Sequence, residues 1–372
     1  MSQPTTPVGP QTLRPQATTT FVETPFVREL TERSLAYIRA GFPVHFRGPA
    51  GSGKTTLALH VASQLGRPLM LMTGDDEFNT SDLVGKERGF RRRKVVDNFV
   101  HSVLKTEENM TQQWVSNRLT VACQEGFTLV YDEFTRSRPE ANNVLLSVLE
   151  ERLLVLPSTP NKNGYVRVHP DFRSLFTSNP EDYVGVHKSQ DALLDRMITI
   201  DLEYFDRETE VAITASRSHL PYAYAGRIVD LVRGFRASGQ YEIKPTVRKC
   251  LMIGKVMSIR QALPSSGDPV FRQICLDVLG TEPMYSDDPA VRSSQQRRTI
   301  EELIDATCAA ETLPPIEELA AENPRLILSQ MEFSPSTNGS NHFEPPAADV
   351  DPLHEAAILD DLKVVADNAD GA

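Results

Sequence analysis

Gly48-Pro49-Ala50-Gly51-Ser52-Gly53-Lys54-Thr55 follows the spacing G-x-x-x-x-G-K-T. Glycines at these places let successive backbone N–H groups turn inward and cradle phosphate oxygens. Lys54 carries positive charge to the β- and γ-phosphates, and Thr55 offers its hydroxyl to Mg²⁺. Farther along, the apolar run Phe127-Thr128-Leu129-Val130-Tyr131 closes on Asp132-Glu133. The first carboxylate suits the Mg²⁺ shell; the second can orient and deprotonate a water attacking the γ-phosphate. That second carboxylate favours hydrolysis over phosphoryl transfer to another substrate. Asn179, in Phe176-Thr177-Ser178-Asn179-Pro180, adds an amide able to bond the attacking water or the γ-phosphate, although Asn-Pro is also an ordinary turn signal. The chemistry implied is Mg-ATP hydrolysis, with ATP held by residues 48–55 and Thr56, and Mg²⁺ by Thr55 and Asp132.

The elements around these residues are those such chemistry needs. An apolar strand, Pro43-Val44-His45-Phe46, leads into the glycine-rich loop, and a helix opens directly after it at Thr56-Leu57-Ala58-Leu59. The helix N-terminus adds partial positive charge at the phosphate site. Short apolar runs at Pro43–Arg47, Leu69–Thr73, Thr128–Asp132, Leu175–Asn179 and Met197–Leu202 alternate with helical segments. This spacing predicts an α/β domain over 21–205, built on a five-stranded parallel sheet buried on both faces. Two runs end in Asp132 and Asn179, so a ligand is expected beyond the strand C-termini. Thr24 and Pro25 predict the start of a preceding helix that Gly41 ends.

From Asp206 the pattern is helical: one helix opens at Asp206-Arg207-Glu208, and others cover Ala225–Phe235 and Thr246–Ile259. This predicts a small all-α domain over 206–262. After Pro264 come Ser/Gly/Asp/Pro clusters, with a helix only near Thr299–Cys308, so 263–310 is expected to be a partly helical extension.

The 372 residues carry a net charge of −11, and the location of that charge decides its meaning. Residues 311–372 hold thirteen acidic and two basic residues, which accounts for all of it and leaves the preceding body neutral. That tail, like the Pro/Thr/Gln-rich residues 1–20, is expected to be disordered. No run approaches the roughly 18 apolar residues of a membrane span. The N-terminus lacks a basic n-region and an apolar h-region, so no secretory signal is expected. The four cysteines, Cys123, Cys250, Cys275 and Cys308, form no C-x-x-C pair. Free thiols in a reducing cytoplasm are expected, without a zinc site.

The set formed by Gly48–Thr55, Asp132-Glu133, Asn179, Leu193-Leu194-Asp195-Arg196-Met197 and Pro245-Thr246-Val247-Arg248 resembles AAA+ ATPases of the MoxR branch. Met72–Phe78, Tyr131–Asn143 and Val186–Arg196 bring the resemblance close to the gas vesicle protein GvpN family, over about residues 21–260. The resemblance implies an AAA+ ATPase with a helical lid, acting as a homo-oligomeric ring, a hexamer, in the formation or enlargement of gas vesicles. Vesicle shell or accessory proteins would be its partners, and its location cytoplasmic and associated with the vesicles. A MoxR-type activator of a metabolic enzyme, such as Rubisco or a nitric-oxide reductase, and a nucleotide-binding structural component of the vesicle are the alternatives. Arg196 lines up with the arginine finger that completes a neighbouring subunit's site, the alternative being a surface ion pair with Asp195. Arg248 lines up with the sensor-2 arginine of the lid.

Two segments look like insertions that mark this branch, and in related ring ATPases such insertions face the pore. One runs from Thr80–Gly85 into the basic residues Arg88 to Lys94; the other is a predicted hairpin, Leu153–Leu156 and Tyr165–Val168. Without interleaved aromatics, Arg91-Arg92-Arg93-Lys94 is not expected to bind nucleic acid. His45 fits a satisfied core or rim position, and Trp114, Leu119 and Val121 fit one buried helix face.

Overall fold

The computed structural model describes residues 21–97, 105–156, 164–180, 191–238, 244–281 and 289–309. The expectations for 1–20 and for the acidic tail lie outside the described residues, as does Val186–Gln190 of the family-like segment.

The chain opens with helix α1 (Pro25–Arg39) and strand β1 (Val44–Arg47), followed by α2 (Lys54–Gln64) and β2 (Leu69–Thr73). A short α3 (Thr80–Val84) leads into a long hairpin, β3 (Gly85–Asp97) and β4 (Lys105–Ser116). Next come α4 (Arg118–Glu125), β5 (Thr128–Asp132), α5 (Pro139–Asn142) and α6 (Val144–Leu149). A second hairpin, β6 (Leu153–Val155) and β7 (Tyr165–Arg167), precedes β8 (Arg173–Ser178), α7 (Asp191–Leu194) and β9 (Ile198–Asp201). Among the described residues, only helices follow: α8 (Arg207–Ser218), α9 (Tyr222–Ala237), α10 (Val247–Arg260), α11 (Pro269–Leu279) and α12 (Pro289–Thr307).

The five predicted apolar runs form one parallel sheet in the order β2-β5-β8-β1-β9. Alternate residues of each strand serve opposite faces, as the pleat requires. Leu129, Tyr131 and Phe176 pack with α4 and α6 on one side, while Val130, Leu175, Val44 and Phe46 pack with α1 and α2 on the other. Burial on both faces is why these strands read as continuous apolar runs. The parallel register brings the C-terminal ends of β1, β5 and β8 to one edge, where Gly48, Asp132 and Asn179 emerge.

His45 bridges three strands of that sheet. Its Nε2 lies 2.8 Å from Ser178 Oγ and its Nδ1 3.0 Å from Thr199 Oγ1. Burial, with Arg47 nearby, lowers its pKa to about 4, so the ring is neutral at physiological pH. It is a satisfied core histidine, as expected.

The helices after Asp206 share a separate core in which Tyr224, Ile228 and Phe235 of α9 meet Cys250 and Ile253 of α10. The same core takes Phe271, Ile274 and Cys275 of α11 and Ile300 and Ile304 of α12. Helix α11 was not expected. Its signals were present: Asp268 caps Val270 N and Phe271 N, Pro269 occupies the first turn, and Phe271, Ile274, Cys275 and Val278 recur at helical spacing.

The predicted hairpin is β6 and β7, paired antiparallel; in the other segment Thr80–Val84 is helix α3, and the basic run Arg88 to Lys94 lies on β3, paired antiparallel with β4. This corrects the expectation for Trp114, which belongs to strand β4 rather than to the helix; Leu119 and Val121 are helical, on α4. The cysteines are free thiols, each buried. Among the described residues no helix is long and apolar enough to cross a membrane.

Candidate functional site

The loop leaving β1 is held against the sheet edge by its first residue. Gly48 N donates to Ser178 O at 3.2 Å, and a Cβ at Gly48 would stand 1.9 Å from the Leu202 carbonyl oxygen, so no larger residue fits. Gly51 and Gly53 have φ of +84° and +87°, the left-handed turns that aim a run of N–H groups inward. Helix α2 then begins at Lys54. Ser52 Oγ is buried on the side of the loop that faces Gly48 and Leu202, behind this cradle. A ring of inward backbone N–H groups at the start of a helix fits an anion's oxygens.

Lys54 is buried, and its Nζ donates to Pro49 O at 2.8 Å across the loop. Burial lowers its pKa to about 8, opposed by Asp132 and Glu133 and assisted by Arg248. An ammonium so desolvated gains strongly from a nearby phosphate. Thr55 Oγ1 donates to Asp132 Oδ1 at 2.6 Å, so the two groups expected at Mg²⁺ already meet. A hydroxyl and a carboxylate are hard oxygen donors of the kind Mg²⁺ takes alongside phosphates and water.

Thr177, which the sequence analysis did not single out, joins the two strand ends. Its hydroxyl donates to Asp132 Oδ1 and accepts from Glu133 N at 2.9 Å. Glu133 takes a left-handed backbone, φ 51°, and Gly74 leaves room for its carbonyl, which a Cβ there would approach to 2.2 Å. Its carboxylate pairs with Arg136, Nε to Oε2 at 2.8 Å. Asn179, buried, follows the last residue of β8.

The helical region reaches the loop through the start of α10. Thr246 Oγ1 donates to Ala50 O at 3.3 Å, and a Cβ on Gly51 would meet Thr246 Oγ1 and the Arg248 side chain. Behind this contact, fully buried Glu210 of α8 accepts from Arg233 at 2.9 Å and from Arg236 at 2.7 Å. Arg236 also donates to Pro245 O and stacks over Tyr204. This network sets where α10 begins.

These parts surround one cavity of about 350 Å³. Ala50, Gly51, Gly53, Lys54, Thr55, Thr56, Asp132, Glu133, Asn179 and Arg248 all line it, together with Arg136 and Arg217. Val22, Val27, Phe205, Ile213, Val247 and Leu251 form an apolar side able to cover a purine ring. Gly48, Pro49 and Ser52 shape the loop behind the lining. Arg196 lies elsewhere: it is not among the residues lining this cavity, and its guanidinium bonds Glu150 and Ala192 O. Its ion-pair partner is Glu150, not the Asp195 considered from sequence. Thr177 and Arg136 lay inside motifs already noticed, but their contacts depend on distances no spacing gives.

Residues 43–197 match the AAA domain of the dynein-related subfamily. The chain is 53% identical over 307 residues to the gas vesicle ATPase GvpN of Ancylobacter aquaticus, covering 82% of this chain and 86% of that protein. The chain belongs to the GvpN family. Its similarity extends to the gas vesicle ATPase GvpN1 of Halobacterium salinarum, at 41% identity over 77% of this chain and 80% of the relative. It continues more distantly to the MoxR-type denitrification regulatory protein NirQ of Stutzerimonas stutzeri, at 24% identity over 72% and 88%. This GvpN-family chain is thus a nucleotide-binding AAA+ ATPase, and the five-stranded sheet just described is its AAA core.

Proposed function

We propose that this protein is a Mg-ATP-driven remodelling ATPase that assembles or enlarges gas vesicles, working in the cytoplasm as a homo-oligomeric ring, a hexamer, on vesicle shell or accessory proteins. The observation that carries the enzymatic part is convergence. Lys54, Thr55, Asp132, Glu133, Asn179 and Arg248 come from four separated segments and line one cavity. In this reading residues 48–56 bind the nucleotide phosphates, and Lys54 and Arg248 supply fixed positive charge. Thr55 and Asp132 would hold Mg²⁺, which neutralises phosphate charge when bound. Glu133 accepts the proton of the attacking water, Asn179 orients that water, and Arg196 acts on the adjacent subunit's site. The helices from residue 206 act as the lid, with α11 and α12 as part of it.

The gas vesicle assignment rests on family membership and is tested in cells. A strain lacking this gene should form few or small vesicles. The wild-type gene should restore them and the Lys54→Ala variant should not. Full rescue by Lys54→Ala would show that hydrolysis is not what the vesicles need, favouring a structural component. Normal vesicles in the deletion strain, with loss of a metabolic enzyme's activity, would favour an activator role.

A further inference from the structure

Arg136 is a cavity-lining cation to which the nucleotide reading gives no task. It ends a 3₁₀ turn, Phe134–Arg136, that is pinned along its length. Arg136 N donates to Glu133 O at 2.9 Å, and Asn142 Nδ2 donates to Phe134 O at 3.1 Å. Just beyond, Ser137 Oγ accepts from the Tyr131 hydroxyl at 2.7 Å and from Asp75 N at 3.2 Å. The backbone of Glu133 is equally fixed, by Thr177 on one side and the close approach of Gly74 on the other. Its side chain still has three rotatable bonds, and the ion pair with Arg136 selects among their settings. The closest approach of the pair is at Oε2, 2.8 Å from Arg136 Nε. Both side chains are partly exposed, so such a pair adds little to folding stability. What it supplies is direction, and small misplacements of a reacting group lower rates steeply.

We propose that Arg136 is a positioning residue for ATP hydrolysis, fixing the orientation of the Glu133 carboxylate; this rests on the proton-accepting role given to Glu133. In that step the water oxygen bonds to the γ-phosphorus as its bond to the β–γ bridging oxygen breaks. The water's proton passes to Glu133, and ADP leaves with the electron pair. Arg136 touches neither the water nor the phosphorus in this account.

The test is a double-mutant cycle on the full chain, with single-turnover hydrolysis of radiolabelled ATP and binding of a fluorescent ATP analogue. Arg136→Ala should lower turnover at least ~10-fold, the order expected from a misplaced catalytic group. Nucleotide affinity and thermal midpoint should stay near wild type, and Arg136→Lys should recover part of the rate. In a Glu133→Gln background, adding Arg136→Ala should change the residual rate less than about twofold, because the two act through one carboxylate. Additive losses in the cycle, or a large loss of affinity, would overturn the proposal in favour of direct action on the phosphates. Wild-type turnover by Arg136→Ala would overturn it outright. A Glu133→Gln enzyme with normal turnover would instead remove the underlying role of Glu133, and this proposal with it.

Discussion

The two sides of the nucleotide cavity are built by different means. On the sheet side the functional groups are strand ends, held by register and joined to one another: Thr55, Thr177 and Asp132 share one carboxylate oxygen, and Glu133 N closes onto Thr177. On the helical side few groups reach the phosphate loop, chiefly Thr246 and Arg248 at the start of α10, placed by a buried ion network some distance behind them. Backbone register is hard to perturb by single substitutions, whereas a lever set by one buried glutamate is not. The sheet side is therefore the harder of the two to displace by a single substitution.

Arg196 tests whether a third side exists. If the adjacent subunit supplies it, Arg196→Ala should bind ATP normally and lose about 10³-fold in turnover, the scale of an arginine finger. Mixing it with Lys54→Ala should restore activity in co-assembled rings, because some intact sites then face an intact finger. Phosphate release measured against protein concentration checks the same point. Concentration-independent activity, with no rescue on mixing, would confine catalysis to the two sides described.

Glu133→Gln probes the sheet side alone. It should retain ATP and slow turnover at least ~100-fold, since the proposed proton acceptor is lost while the positive charges of the loop remain. Binding and hydrolysis measured on one preparation separate the two.

Breaking the lever should act on folding first. Glu210→Ala leaves Arg233 and Arg236 without their buried partner and should destabilise the helical region by about 3–5 kcal/mol. Two-probe denaturation would then show the helical region melting ahead of the sheet. A single unchanged transition would mean the helical region is not separately anchored.

The pH dependence of binding sharpens the comparison. Lys54 has a folded pKa lowered to about 8 from 10.5, so the empty protein loses this charge as pH rises through 8. Bound phosphate favours the charged form, so binding takes up a proton above pH 8. ATP affinity should then fall by up to about tenfold per pH unit between roughly 8 and 10. The stability sign is opposite. Between 8 and 10.5 the unfolded chain holds the proton and the folded one does not, so this residue's contribution to stability rises with pH. Titration calorimetry of Lys54→Arg, which stays charged, should show a much flatter affinity profile.

The smallest effect is expected from truncation after residue 309. It removes none of the buried residues described, since the helical core ends at Cys308, and basal hydrolysis and thermal midpoint should hold. Loss of either would make the acidic segment part of the folded machine.

Much of this protein was written locally. The phosphate loop, the Asp132-Glu133 pair and the five strands were legible because each depends on short-range requirements. Glycine must sit where φ is positive, and a strand buried on both faces must be apolar throughout. Helix α11 escaped because the Pro and Gly clusters around it are also loop signals, and Trp114 because helical spacing alone does not distinguish a hairpin strand. The sheet order, the bond from Thr177 to Asp132, the pairing of Arg136 with Glu133 and the Glu210 network join residues far apart in sequence or turned by an unusual backbone. Those contacts were decided only when the parallel register and the packing of the helical region fixed distances between segments, and distance is what hydrogen bonds and ion pairs require.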